Sequence, residues 1–234
     1  MIVSINQPAY LPWLGYFQRI ATSDLHVVLD HVQFEKSSFT NRNKVRTREG
    51  SCWLTVPVRT KGKFGSLFID RLEIAQDTSW EEKHWATLKM NYARAPYFAE
   101  HAPFFEAIYS HRHSSLNPLM RQLTAYLLRV FGIRTPLLFS SEMPVEGAKD
   151  ELVLNLCRSA GATTYLSGAL GRNYLREELF HEAGIKVEYQ EYNHPRYGQV
   201  FPGFEPFLSA VDLLFNCGPQ CLQILLNDRE SVVV

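Results

Sequence analysis

The sequence has no surplus of charge of either sign. Its 234 residues include 24 Lys plus Arg and 24 Asp plus Glu, so the formal net charge is zero. Proteins that bind nucleic acid normally carry a basic surplus, because contacts with phosphates dominate their affinity. A nucleic-acid partner is therefore not expected, although the neutral net charge does not exclude a local basic patch.

Long apolar runs are also missing. No run approaches the roughly 20 apolar residues that a membrane-spanning helix needs, so no membrane span is expected. The chain opens with Met-Ile-Val-Ser-Ile, which lacks the basic segment and the apolar core of a secretory signal. A cytoplasmic location is the resulting expectation.

Cysteine is scarce and shows no functional spacing. The four residues are Cys52, Cys157, Cys217 and Cys221. This arrangement matches neither a redox pair nor a paired zinc ribbon, so four reduced thiols are predicted. A chain of this length buries enough surface to fold without a disulfide or a structural metal. No metal site is predicted, and no pattern identifies a cofactor.

Predicted strands and helices alternate near both ends of the chain. Ile2–Asn6 and Leu25–Asp30 flank a helical pattern over Trp13–Ile20. Further strands are predicted in the final third, at Leu137–Ser140, Thr163–Ser167 and Ile185–Tyr192. Strands that alternate with helices in this way predict a parallel sheet with right-handed crossovers.

The middle of the chain interrupts this alternation. Ser38–Arg48 and Cys52–Arg59 flank Glu49-Gly50 as a β-hairpin would, and Leu67–Ile74 has the pattern of a third strand. Helical patterns follow as far as Phe131. The sequence thus predicts an α/β fold of three layers around a mostly parallel, Rossmann-like sheet, with a β-rich and helical insertion in the middle. Residues 1–234 are expected to form a single domain.

The segment after the first predicted strand has the composition of a binding-site wall. Gln7 brings an amide to the carboxyl end of that strand, where open α/β sheets bind ligands. Tyr10 and Trp13 offer flat apolar surface with polar tips, and prolines stiffen the segment. The alternative is that these aromatic residues simply plug the core.

Asp30 ends the second predicted strand and is a candidate catalytic residue. A carboxylate beside Gln7 can bind a sugar hydroxyl or an amine, or act as a general base. An Asx turn or a helix cap is the competing interpretation.

The segment that follows Asp30 is rich in hydrogen-bonding groups. Lys36 and Arg42 can hold a phosphate or a carboxylate, while Gln33 and Asn41 can bind or orient the substrate. Basic residues continue through Lys63, which makes Lys36–Lys63 a strip that attracts anions. Solvated loop charges are the alternative.

His84, early in a predicted helix, is the second candidate catalytic residue. A helix N-terminus lowers the pKa of a histidine, and a neutral imidazole can act as a base. A surface histidine or one satisfied in the core is the alternative.

Two later segments can complete a binding site. Ser167, Gly168 and Tyr174 follow a predicted strand and open a helix, whose N-terminus favours an anion. Asp212 and Asn216 lie at near-helical spacing on one face, where they either approach the same crevice or only cap and solvate the last helices.

These segments together resemble the WbqC-like protein family. The resemblance rests on Ile-Asn-Gln-Pro-Ala-Tyr-Leu-Pro-Trp-Leu-Gly-Tyr-Phe at 5–17, Leu-Asp-His-Val-Gln-Phe at 29–34, Asn-Arg-Asn at 41–43, Trp-Leu-Thr-Val-Pro-Val at 53–58 and Tyr-Leu-Ser-Gly at 165–168. Asn6 stands where many relatives have histidine. The resemblance implies a role in modifying a nucleotide-linked sugar for O-antigen or another surface polysaccharide.

Three functional hypotheses follow. The first is a transferase that adds an aminoacyl or acyl group to a sugar amine, with a nucleotide sugar or an activated acyl compound as its small-molecule partner. The second is a non-catalytic protein that binds a glycan precursor. The third is a nucleotide-dependent ligase or nucleotidylyltransferase, for which the strand, turn, helix and strand-end Asp offer an analogy.

Overall fold

A computed structural model describes residues 1–60 and 67–226. The described strands are β1 (Ile2–Asn6), β2 (Leu25–Val28), β3 (Arg42–Thr47), β4 (Gly50–Thr55), β5 (Leu137–Phe139), β6 (Thr164–Ser167) and β7 (Lys186–Tyr189). The described α-helices are α1 (Leu14–Ala21), α2 (Trp80–Tyr92), α3 (Phe98–Tyr109), α4 (Leu116–Phe131), α5 (Lys149–Ser159), α6 (Glu177–Glu182), α7 (Ala210–Cys217) and α8 (Cys221–Leu225).

Five of the strands form one parallel sheet in the order β5-β2-β1-β6-β7. In this order β1 pairs with β2 on one side and with β6 on the other. The chain therefore builds the sheet outward from β1 in both directions. The point between β1 and β6, where the direction reverses, is where sheets of this kind bind ligands.

Helices cover both faces of the sheet, which confirms the predicted three-layer, Rossmann-like fold. Val3 and Ile5 of β1 point to one face and share a core with residues of α5 and α6. Ser4 points to the other face, where its Oγ is 2.8 Å from Nδ1 of the buried His26. α1 covers this second face, and seven consecutive residues of it, Leu14 to Ile20, are buried.

The predicted insertion is also present, between β2 and β5. It begins with the β3-β4 hairpin, which is antiparallel and turns at Gly50 with a φ of 133°. α2, α3 and α4 follow, and their apolar residues join those of α1, α7 and α8 in the larger of the two cores. The hairpin and the helices thereby build up one side of the sheet.

The prediction of a strand at Leu67–Ile74 is wrong. Residues 69–71 form a 3₁₀ turn, and isolated bridges take the place of a continuous ladder. The reason is that the backbone here braces the chain after β2. The N–H of Ile69 donates to the carbonyl of Val32, and the N–H of Asp70 donates to the carbonyl of Asp30.

The helix predicted to open at the turn after β6 begins later in the chain than expected. A 3₁₀ turn spans Ala169–Asn173, and α6 begins only at Glu177. The four cysteines are free thiols. Within residues 1–60 and 67–226, no helix combines the length and apolar character needed to cross a membrane.

Candidate functional site

A cleft of about 690 Å³ opens at the carboxyl ends of β1 and β6. Its size is in the range of small-molecule sites. Its walls combine aromatic rings with amides, and the principal polar and aromatic lining residues are Asn6, Gln7, Trp13, Arg19, Glu35, Phe39, Tyr165, Tyr174, Gln190 and Tyr192. This cleft therefore lies where the sheet order changes direction.

The loop between β1 and α1 is held in place from three directions. Leu11 has a φ of 45°, in the left-handed region that few non-glycine residues adopt. Its carbonyl accepts a hydrogen bond of 2.6 Å from Nδ2 of Asn43 in the hairpin. The carbonyl of Pro12 accepts from the N–H of Ala210 at the start of α7, and the N–H of Tyr10 donates to the carbonyl of Thr40. The wall that carries Gln7 and Trp13 is thus fixed before any ligand arrives.

Tyr10 lies behind this wall and not in it. Its side chain has no exposed surface, and its hydroxyl is 2.8 Å from Nδ1 of His84 and 2.5 Å from the hydroxyl of Tyr109. Burial raises the pKa of Tyr10 well above its usual value, so the phenol stays neutral. The core-plug alternative describes Tyr10, while the pocket-wall interpretation describes Trp13.

His84 belongs to the same buried network. It packs between Trp80 and Tyr109, and only 5% of its surface is exposed. Burial lowers the pKa of His84 to about 4, so the imidazole is neutral near pH 7 as predicted for a base. However, His84 does not line the cleft. His84 therefore supports the loop between β1 and α1 through its contact with Tyr10, and it does not contact a substrate bound in the cleft.

Asp30 is likewise enclosed, at the end of β2. Its carboxylate accepts hydrogen bonds from Asn117, Arg121, Ser140 and Ser141, with Arg121 Nη2 at 2.9 Å. Burial alone would raise the pKa of Asp30, but these donors hold it below its ordinary value. The group ties β2 to the turn after β5, does not line the cleft, and is poorly suited to accept a proton.

The site residues predicted in the loop after β2 do not line the cleft, although Glu35 and Phe39 of the same loop do. Gln33 and Lys36 are exposed, and neither lines the cleft. Asn41 donates to the carbonyl of Val56 at 2.8 Å, so it secures the hairpin. Arg42 donates to the carbonyl of Ser37. Lys61 and Lys63, the far end of the predicted anion-attracting strip, lie outside the described residues.

An aromatic row leads from the cleft toward the hairpin surface. The ring of Trp13 lies 5.3 Å from that of Phe39, which lies 5.8 Å from that of Trp53. Trp53 is 42% exposed, and the guanidinium of Arg42 sits 4.4 Å from its centroid. Phe39, at 44% exposure, offers flat apolar surface at the mouth of the cleft.

Asp212 and Asn216 have structural contacts. Asp212 is fully buried and accepts hydrogen bonds from Tyr92, Tyr197 and Gln199. Burial raises the pKa of Asp212, and the three donors oppose that shift. The amide of Asn216 donates back to the carbonyl of Asp212. Asp212 thus fastens α7 to its neighbours and Asn216 bonds within the helix, so Asp212 is neither a cap nor solvated and neither residue lines the cleft.

The turn after β6 does reach the cleft. Gly168 and Tyr174 line it, and Ser167 is buried directly beside them. The Oγ of Ser167 donates to the carbonyl of Gly168 at 3.2 Å, and its own carbonyl accepts from the N–H of Gln190. Of the predicted site residues, the structure therefore brings together Gln7, Trp13, Gly168 and Tyr174, with Ser167 supporting the turn.

A larger groove lies elsewhere, but its position makes it a weaker candidate for a ligand-binding site than the cleft. It has a volume of about 1020 Å³ and lies between the hairpin and the end of α2, with Arg48, Met90 and Arg94 among its lining residues. It is remote from the carboxyl ends of the strands, where this kind of sheet binds ligands. In the described part of the chain, no group of three or more His, Cys, Asp or Glu side chains is arranged to hold a metal ion.

Comparison with known proteins identifies the family to which the chain belongs. The WbqC-like protein family matches residues 7–224, which is nearly the whole chain. The chain belongs to the WbqC-like protein family. It is also 39% identical over 230 residues to the uncharacterized protein Rv1507c of Mycobacterium tuberculosis, with 97% of this chain and 99% of that protein covered. No solved structure matches the chain significantly.

Membership in the WbqC-like family suggests a role in polysaccharide biosynthesis and does not identify a reaction. The family motif at the start of the chain contributes Asn6, Gln7 and Trp13 to the cleft. Nδ2 of Asn6 is buried without a hydrogen-bond partner within the described chain, and so is the hydroxyl of Tyr192. Eight other side-chain atoms of the described residues are also buried without a partner and lie outside the cleft lining, so these two atoms gain their significance from their position in the cleft.

Sequence reasoning missed Arg19, Gln190 and Tyr192. Gln190 and Tyr192 follow β7, so the strand-end rule that selected Gln7 would also have selected them. Arg19 sits in the last turn of a helix, where a basic residue is ordinary. Its detectable signal is its position between Phe17 and Ile20 on the buried face of α1, where a charge is unusual.

Proposed function

We propose that this WbqC-like protein is a transferase that acts on a nucleotide-linked amino sugar in surface-polysaccharide or O-antigen biosynthesis. The observation that carries the proposal is the cleft between β1 and β6, with aromatic rings and amides on walls that are already fixed. Rings such as Phe39 and Trp13 suit the flat faces of a base or a sugar, while Asn6, Gln7 and Gln190 suit its hydroxyl and amide groups.

The proposed reaction is transfer of an acyl or aminoacyl group to the sugar amine. The nitrogen lone pair attacks the carbonyl carbon of an activated thioester or ester. The new C–N bond forms, the bond from that carbon to the carrier's sulfur or oxygen breaks, and the amine proton passes to a base. Among the described lining residues, Glu35 is the carboxylate available for that proton. The reaction uses cytoplasmic donors, so we also propose a cytoplasmic location.

Non-catalytic binding of a glycan precursor is the second candidate. It is favoured by the small number of acid–base groups in the cleft, since Asp30 and His84 are both enclosed elsewhere. A binding protein needs the aromatic and amide walls but no proton acceptor.

Binding and mass spectrometry test these candidates together. A panel of nucleotide-linked amino sugars, acyl-CoAs, aminoacyl donors and ATP with magnesium is screened by thermal shift, since a ligand stabilises the fold by mass action. Sugar-donor pairs that bind are then incubated, and the sugar is examined for a gain in mass equal to the acyl group. Binding with turnover supports the transferase, and binding without turnover for any donor supports the binding protein.

Two variants locate the site. Phe39→Ala removes an exposed ring at the cleft mouth and is expected to weaken binding about tenfold, as loss of a base–aromatic stacking contact does. Met90→Ala removes a side chain that is 78% exposed in the larger groove and is expected to change nothing. Loss of binding in Met90→Ala with normal binding in Phe39→Ala would move the site to the groove. Stabilisation by ATP alone would instead favour the ligase hypothesis.

A further inference from the structure

Arg19 is a nearly buried cation without an acidic partner. It is 8% exposed, and within residues 1–60 and 67–226 no carboxylate lies close enough to form a salt bridge with it. Burial lowers the pKa of Arg19, but a guanidinium stays protonated in proteins. Burying an unpaired charge is costly, so such charges are normally matched by an anion. The partner of Arg19 is therefore missing from the described protein itself.

Gln190 fixes the guanidinium at one end. Its Oε1 accepts a hydrogen bond of 3.0 Å from Nε of Arg19. Its Nε2 donates to the carbonyl of Gly15 at 2.9 Å and to Oε1 of Gln18 at 2.7 Å. The Nη1 and Nη2 atoms have no hydrogen bond in the described chain. They are accessible to solvent, because Arg19 lines the cleft. The two free nitrogens consequently form the part of Arg19 that a ligand can reach.

Gly168 makes room for this arrangement. A Cβ atom at position 168 would lie 2.8 Å from Nη2 and 2.9 Å from Nη1 of Arg19, closer than real Cβ contacts. The backbone there has a φ of −72° and a ψ of 160°, which any residue can adopt. Glycine thus leaves the space that the guanidinium occupies, and any larger residue would force the end of the Arg19 side chain to shift.

The surroundings favour an oxyanion. Two parallel N–H donors of a guanidinium match two oxygens of a phosphate or carboxylate. The first turn of α1 also borders the cleft through Trp13 and Gly15, and a helix N-terminus carries partial positive charge. The unpartnered Nδ2 of Asn6 and hydroxyl of Tyr192 lie in the lining of the same cleft. Glu35, the carboxylate of that lining, is exposed on the loop after β2 and makes no ion pair with Arg19.

We infer that Arg19, set over Gly168 and held by Gln190, is the anion-binding residue of the cleft. The inference deepens the proposed function and rests on it in one respect: the bound anion is then the diphosphate of the nucleotide-linked sugar. It replaces Lys36 and Arg42 as the phosphate ligands predicted from the sequence.

The test uses pyrophosphate as the probe, with sodium chloride at equal ionic strength as the reference. Pyrophosphate is expected to stabilise the unmodified protein in thermal shift and to bind measurably in calorimetry. Arg19→Met, which keeps the length of the side chain, is expected to weaken binding about 30-fold or more, as loss of one partner of a buried charge pair does. Gly168→Ala is expected to weaken it as well, because the new methyl group displaces the guanidinium. Lys36→Met removes one exposed charge and is expected to bind as the unmodified protein does.

Each outcome decides a separate question. No response to pyrophosphate in the unmodified protein, or undiminished binding in both Arg19→Met and Gly168→Ala, overturns the inference. If Arg19→Met fails to fold by circular dichroism, Gly168→Ala and the Lys36→Met control still decide it. Arg19-dependent binding of pyrophosphate without binding of any nucleotide sugar keeps the anion site and removes the proposed function. Nucleotide-sugar turnover that is unchanged in Arg19→Met keeps the proposed function and removes the anion site. A stronger response to citrate than to pyrophosphate would make the natural anion a carboxylate.

Discussion

Two buried charges near strand ends behave in opposite ways. Asp30, after β2, receives hydrogen bonds from four residues, and Arg121 neutralises it at 2.9 Å. Arg19, beside the ends of β1 and β6, has a single hydrogen bond through Nε and no carboxylate within the described residues. Both are well buried, yet only one is matched by the protein. A strand-end charge that is fully paired supports the fold, whereas one left unpaired next to a cleft indicates a ligand.

The same difference separates the wall of the cleft from the region behind it. Behind the loop, the polar groups of Tyr10 and Tyr109 pair with each other, and Tyr10 also pairs with His84. In the cleft, Asn6 and Tyr192 each keep a buried polar atom without a partner in the described chain. Trp80 and Glu81, which lie beside this network, also keep a buried polar atom without a partner, so the contrast holds for Tyr10, Tyr109 and His84 and not for the whole region behind the loop.

Acidic pH gives the largest expected loss of stability, because it favours protonation of histidines that are buried in their neutral form. Burial lowers the pKa of His84 to about 4 and that of His26 to about 3. The unfolded chain binds these protons near pH 6.5 and the folded chain does not, so stability is complete above pH 6.5 and falls as the pH drops toward 4. The expected loss at pH 5 is about 2 kcal/mol for each histidine.

Urea unfolding at pH 7 and at pH 5 measures this loss. His84→Gln is the control and is expected to show a smaller pH dependence, while His26, His101 and His194, whose pKa values burial also lowers, account for the rest. An unfolding free energy that is equal at the two pH values would mean that the histidines are not buried in their neutral form.

Asp30→Ala is expected to destabilise the protein by about 3 kcal/mol, since it leaves Asn117 and Ser141 without their acceptor and leaves Arg121 with Glu142 alone. The value lies at the low end of such effects because Arg121 is 31% exposed. Chemical unfolding measures the loss, and calorimetry on the folded fraction is expected to find pyrophosphate binding unchanged. Weaker binding with normal stability would instead return Asp30 to the list of ligand-binding groups.

Tyr10→Phe removes one hydroxyl from the paired network and is expected to cost about 1–2 kcal/mol, since two buried hydrogen bonds are lost. The unfolding midpoint in urea reports the change. Tyr109→Phe makes a matched comparison, because it breaks one of the same two bonds. A Tyr10→Phe protein with normal stability and impaired binding would place the hydroxyl in the site after all.

Arg19→Met sharpens the comparison most, although its effect on stability is the smallest. Removing an unmatched charge while keeping the length of the side chain is expected to change the unfolding free energy by less than about 1 kcal/mol, in either direction. Urea unfolding without added anions tests this. A loss as large as that of Asp30→Ala would show that Arg19 is matched within the fold and has no need of a ligand.

Much of the fold was predictable because local patterns and sheet geometry agree. β1 spans the predicted Ile2–Asn6, and α4 ends at Phe131, where the predicted helical patterns of the insertion end. Leu67–Ile74 was mistaken for a strand because its alternation of apolar residues is real, but its N–H groups bond to the loop after β2. Alternation shows which side chains are buried and cannot show where the backbone finds its partners.

The site was predictable only where strand ends defined it. Gln7 and Gly168 follow strands directly, and both line the cleft. Residue chemistry favoured Asp30 and His84, but their roles depend on partners such as Arg121 and Tyr10 that lie dozens of residues away. Arg19 was missed for the same reason, because the lack of a partner becomes visible only once the neighbours are in place.

The tethering of the loop before α1 links the shape of the cleft to distant parts of the chain. Its backbone is bonded to Thr40, Asn43 and Ala210, so it is shaped by two distant segments of the chain, the start of the hairpin and the start of α7. The hydrogen bond between Pro12 and Ala210 joins residues that are farther apart in the chain than the partners in any strand pair of the described sheet, so this loop is ordered only when both ends of the chain are in place. Detachment of either segment should therefore disturb the wall of the cleft, which makes ligand binding a more sensitive measure of the intact protein than helix content.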